Sequence, residues 1–102
     1  MSYDIWLEVD GEELFDWNYT SNMAGAWREA GVDFMTWPGR KCSNVVDELR
    51  NAIVVMIENF ETYEQRFNAP NGWGEMRTLV PHLIKLWMEM LKSPDSEIQV
   101  SW

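Results

Sequence analysis

Strand-like alternation occupies the two ends of this chain and nothing between them, and that placement limits the fold more than any other feature. Tyr3, Ile5, Leu7 and Val9 alternate with Asp4, Trp6 and Glu8, the period of two expected of a strand with one buried face. Trp6 is the exception, a large ring on the wet side. Asp10-Gly11 follows, the dipeptide that best tolerates the positive φ of a two-residue hairpin turn. A second strand then returns antiparallel from Glu13 to about Tyr19. At the far end Ile98, Val100 and Trp102 alternate with Glu97, Gln99 and Ser101. Neither terminal strand has a partner beyond the hairpin, so the simplest arrangement sets the last strand beside the first. A chain of 102 residues makes one domain, 1–102. Its expected class is α+β: a small three-stranded, mainly antiparallel sheet with three helices over one face.

The helices are read from period and punctuation. Ser21 or Asn22 can cap a short helix from Met23 to Ala30, which Gly31 stops. Residues 32–42 have no clear period, and Trp37-Pro38-Gly39 marks a turn. Ser43 is placed to cap the longest helix. Its apolar stripe runs Val46, Leu49, Ile53, Met56 or Ile57, Phe60, Tyr63 and Phe67. Asn68-Ala69-Pro70 ends it. A third helix from about Glu75 to Lys92 keeps its apolar register across Pro81, which predicts one helix kinked there.

Charge narrows the partners. Eight basic against seventeen acidic residues give −9, and residues 1–27 contain no Lys or Arg. An acidic surface repels nucleic acid and anionic membranes at long range, so neither is an expected partner, whereas a basic protein is. Cys42 is the single cysteine, which leaves no disulfide framework or zinc set. A lone thiol, the absence of an apolar run near 18 residues and an acidic start without a signal-peptide pattern point to the cytosol.

Catalytic motifs are missing. His82 is the only histidine, and there is no GxGxxG, P-loop or HExxH pattern. Glu12-Glu13 and Asp47-Glu48 are adjacent carboxylates with ordinary explanations, one beside a turn and one at a helix start. No metal or cofactor is expected, and the protein is read as a binding protein rather than an enzyme.

The polar run Asn18-Tyr19-Thr20-Ser21-Asn22 is longer than helix capping needs. It is either a cluster bracing the hairpin exit or the floor of a binding site. That run, then Trp27, then Asn68-Ala69-Pro70-Asn71-Gly72-Trp73-Gly74 and a last strand after Pro94 resemble a family of small, functionally uncharacterised proteins of tailed phages. Members open with a similar Tyr-Asp-Ile strand, so the resemblance spans nearly the whole chain. Residues Val32 to Cys42 depart from its pattern. It implies an accessory factor acting in the host cytosol, including against host defence systems.

Two binding modes fit these residues. In one, Asn18, Tyr19, Thr20, Asn22 and Asn71 supply hydrogen bonds and Trp27 or Trp73 a stacking ring for a small, nucleotide-derived ligand. Arg28, Arg40, Lys41 or Arg77 would then reach its phosphates. In the other, the chain is an acidic inhibitor of a basic, nucleic-acid-handling host protein, bound through the hairpin surface with Trp6 as anchor. A structural or assembly role in the virion is the third reading.

Overall fold

The computed structural model describes all residues, 1–102. Strand β1 is Ser2–Val9 and β2 is Glu12–Thr20. Asp10 (φ 51°) and Gly11 (φ 81°) turn between them with the left-handed backbone that an Asp-Gly pair accommodates. The ladder slips between Leu7 and Glu8, where Leu7 faces Phe15 and Glu8 faces Glu13. Leu14 is the extra residue of that bulge and is exposed.

Helix α1 is Ala24–Ala30, entered through a 3₁₀ turn at Ser21–Met23. The expected caps at Ser21 and Asn22 are corrected here. Thr20 does the capping, its Oγ1 accepting the Asn22 N–H at 3.3 Å. Gly31 ends α1 at φ 112°, donating its N–H to Arg28 O.

Helix α2 is Cys42–Glu58 and α3 is Phe60–Phe67. Ser43 does not cap α2: the loop before the last strand does so, with Cys42 N–H bonded to Ser96 O and Ser43 N–H to Pro94 O. The single long helix expected to run through to Phe67 is divided at Asn59. The Asn59 amide donates to Val55 O at 2.9 Å, the local side-chain bond by which Asn competes with regular helix. The stripe survives the break, with Met56 rather than Ile57 on the buried side. Ile57 is 52% exposed, while Met56 and Tyr63 are buried.

Helix α4, Met76–Lys92, runs unbroken through Pro81. Pro81 and Arg77 are both on its exposed side, so water can take the carbonyl that loses its partner. Strand β3, Glu97–Ser101, pairs antiparallel with β1. The sheet order is β2-β1-β3, with both pairings antiparallel. The architecture is therefore α+β, with four helices against a three-stranded sheet.

Tyr3, Ile5, Leu7, Trp17 and Ile98 face the helices and are buried. Behind them sits an aromatic cluster. Phe34 lies 4.8 Å from Trp37 and 5.2 Å from Trp27, and Tyr3 meets Trp27 edge-on at 5.3 Å. The residues without a sequence period, 32–42, deliver Phe34 and Trp37 to this cluster, both fully buried. Rings of this size bury about 150–250 Å² each, a large share of the apolar area that holds such a small layer together.

Candidate functional site

Alternation along β2 separates the members of the polar run. Asn18 points away from the helices, donating to Asp4 Oδ1 at 2.7 Å and Ser2 Oγ at 3.1 Å. Tyr19 points toward the helices. Its hydroxyl lies 2.6 Å from Thr78 Oγ1, donates to Glu75 O at 3.1 Å and accepts the Glu75 N–H at 3.3 Å. Ser21 Oγ donates to Met1 O, and Asn22 Nδ2 donates to Trp73 O at 3.1 Å. Tyr19, Thr20 and Asn22 thus meet the segment Trp73–Glu75, and Asn18 does not.

That segment is a rigid corner. Asn71 Oδ1 accepts the Trp73 N–H at 3.0 Å, Ala69 N–H bonds Gly74 O, and Gly72 N–H bonds Ala69 O. Asn68 Oδ1 takes the Met76 N–H at the start of α4. Gly74, at φ 124°, is pressed so close to Met23 that a Cβ there would lie 2.6 Å from its Cγ. Trp73 projects from this corner with 70% of its surface exposed. Its ring is available to a partner.

Trp27 is not. It is completely buried among Tyr3, Trp17 and Phe34, and its expected role as a stacking wall is corrected to that of a core residue. The four expected phosphate contacts do not converge. Arg28 bonds the Tyr3 hydroxyl at 2.8 Å and lies 3.9 Å from Asp33. Arg40 pairs with Glu48, and Arg77 pairs with Glu75 at 2.6 Å. Lys41 is exposed just before α2.

A shallow cleft of about 650 Å³ opens beside the corner, lined by residues 65–71 together with Asn22. It brings Asn22 and Asn71 together with Arg66, a cation not singled out from the sequence. Arg66 is held over the Phe67 ring at 4.9 Å and pairs with Glu29 at 3.4 Å. Its sequence signal is the adjacent ring of Phe67.

The sheet face turned away from the helices has a different character. No Lys or Arg occurs in any of the three strands. Trp6 stands on the central strand opposite Asp16 on one side and Gln99 on the other. One step away, Asp4 faces Asn18 and Ser101, and Glu8 faces Glu13 and Glu97. Glu8 accepts from Trp6 Nε1 and from Gln99 Nε2, both at 3.2 Å, which holds the indole against the sheet. None of these carboxylates takes part in an ion pair. Asp10-Gly11 and the bulge at Leu14 set this register, because a one-residue slip would exchange the two faces.

Groups with catalytic chemistry are tied up in structure. His82 stacks on Trp17 at 4.9 Å, and its Nε2 lies 2.7 Å from Asn18 O. Trp17 Nε1 donates in return to His82 O at 2.9 Å, so the pair fastens β2 to α4. Burial raises the pKa of the Cys42 thiol, partly offset by its contact with Ser96 Oγ at 3.2 Å. Burial likewise raises that of Tyr63, with Glu29 adding to the effect. No group of three or more His, Cys, Asp or Glu side chains is placed to hold a metal ion, and no helix is long and apolar enough to cross a membrane.

No family model, no curated protein and no solved structure matches the chain.

Proposed function

We propose that the protein is a non-catalytic binding protein that docks on a basic protein surface through its open sheet face, with Trp6 as the central anchor. The observation that carries this is the ring of unpaired carboxylates, Asp4, Glu8, Asp16, Glu13 and Glu97, around one half-buried indole, on strands with no cation. Unpaired charge of one sign steers a partner of opposite sign and raises its association rate. A ring held at the middle of a polar rim is the common form of a binding hot spot. The sequence resemblance to tailed-phage proteins supports a host factor in the cytosol as that partner, of the kind whose basic groove ordinarily holds nucleic acid, and an inhibitory action.

The test is kinetic. The partner captured from host lysate is purified, and its association with wild type is compared with that of the variant Asp4→Asn, Glu8→Gln, Asp16→Asn, Glu97→Gln. At low salt the variant should associate about tenfold or more slowly, and the difference should shrink as salt rises. Trp6→Ala should act mainly on dissociation. Unchanged association at low ionic strength refutes the proposal.

A second reading rests on the cleft, which sets Asn22, Asn71 and Arg66 beside the exposed Trp73 corner. These groups suit a small anionic ligand bearing hydrogen-bonding edges, a nucleotide-derived molecule included. Calorimetric titration with a nucleotide panel tests it, using Arg66→Ala as the control.

A further inference from the structure

The helical side of the molecule carries an apolar groove that no part of the chain covers. Arg50, Ile53 and Val54 of α2 and Ile84 and Trp87 of α4 line it, in a volume of about 210 Å³. Beside it Ile57, Met88 and Leu91 are each half exposed or more, and Val54 is 39% exposed. Trp87 Nε1 is buried there without an acceptor. Such a surface calls for an occupant.

We propose that the occupant is a second copy of this chain, in a two-fold symmetric dimer whose axis passes through Val54. The charges around the groove select this partner. Arg50, Val54 and Glu58 follow one another at intervals of four along α2, so they form one ridge of the helix surface. Arg50 and Glu58 are both exposed, and neither has an ion-pair partner within the chain. They stand equally far from Val54 on either side. A two-fold axis at Val54 therefore brings Arg50 of each copy onto Glu58 of the other, twice over, while the apolar groove residues meet at the centre. Interdigitation of two such ridges is the commonest way helices pack, crossing at about −50°. An isologous contact requires this self-complementarity.

The size of the contact sets its strength. A contact centred on the stretch of α2 from Arg50 to Glu58 and the facing part of α4 is at the low end for specific association, so the dimer is a weak, reversible one.

Sedimentation analysis of the intact protein from about 5 µM to about 1 mM covers weak, reversible association. The wild-type mass should rise from 12.1 kDa toward twice that value. Val54→Lys, Arg50→Glu and Glu58→Arg should each stay monomeric, with the folded state checked by far-UV circular dichroism. The double variant Arg50→Glu/Glu58→Arg, with the wild-type net charge, should recover the dimer. Lys41→Glu, the same charge change outside the groove, should have little effect. A wild type that stays monomeric throughout overturns the proposal. So does a dimer indifferent to Val54→Lys, or one in which folded single variants behave as wild type or the double variant fails to recover.

Discussion

Gly74→Ala tests the corner that joins the polar run to α4. The new Cβ would lie 2.6 Å from Met23 Cγ, 3.1 Å from Thr20 Cγ2 and 3.2 Å from Met23 Sδ. Met23 is completely buried, so its side chain cannot swing into water to make room. Overpacking of this kind costs about 1–3 kcal/mol. The backbone adds to it, because φ 124° is a conformation open to Gly and strained for Ala, at about 1–3 kcal/mol. The expected loss is about 2–6 kcal/mol, a large share of the roughly 5–15 kcal/mol that holds a domain folded. Gly72→Ala is the matched control: φ is 77°, nothing lies within 4 Å of its Cβ, and strain alone should cost about 1–2 kcal/mol. Urea unfolding followed by far-UV circular dichroism measures both, with the slope held common. At about 1–3 kcal/mol per molar urea, the Gly74→Ala midpoint should fall clearly below that of Gly72→Ala. If the two variants agree within about 0.5 kcal/mol, Met23 yields freely and close approach is not what demands glycine here.

Tyr19→Phe leaves the Glu75 N–H without its acceptor, while the Thr78 hydroxyl keeps Glu75 O, and should cost about 1–2 kcal/mol in the same assay; a neutral result would mean water replaces the hydroxyl. Deleting residues 97–102 removes the completely buried Ile98 and the ladder on β1, so cooperative thermal unfolding should be lost; a retained cooperative melt would show that β1 and β2 suffice. Folding raises the Cys42 thiol above its ordinary 9.0. Its contribution to stability is therefore complete below that value and declines as pH rises past it. Cys42→Ala should flatten the loss of stability above pH 9, and an unchanged slope would assign that loss to other groups. In the native protein labelling of the thiol should be slow and governed by opening, tenfold slower for each 1.4 kcal/mol of opening free energy.

The sheet was legible because strand alternation and the Asp10-Gly11 turn are local signals that tertiary packing had no reason to override. The continuity of α4 through Pro81 was legible too, since its apolar positions keep register on both sides. What sequence could not show was set by contacts distant in the chain. The donors at the start of α2 are satisfied by Ser96 and Pro94 carbonyls, about fifty residues away, so the nearby Ser43 was a false cap. The break at Asn59 leaves the apolar spacing almost intact, and only the side-chain bond to Val55 O marks it. Phe34 and Trp37 lie in a stretch with no period, because an irregular loop can deliver core residues without repeating.

The division of the polar run was present in the sequence in a form that depends only on parity. Once Ile5 and Leu7 are assigned to the core face, antiparallel pairing of Ile5 with Trp17 puts Trp17 and Tyr19 on that face and Asn18 on the other. No ligand on one side of the sheet can therefore touch both Asn18 and Tyr19 side chains. The five residues read as one cluster only while they are viewed as a string. As a strand they separate into Asn18, which joins Asp4 beside Trp6, and Tyr19, Thr20 and Asn22, which hold the corner that presents Trp73. The same parity collects Asp4, Trp6, Glu8, Asp16 and Asn18 on one surface, away from the helices. An acidic face centred on an indole and a braced corner tipped with another are thus two consequences of a single register, and the Asp10-Gly11 turn and the Leu14 bulge are what hold that register in place.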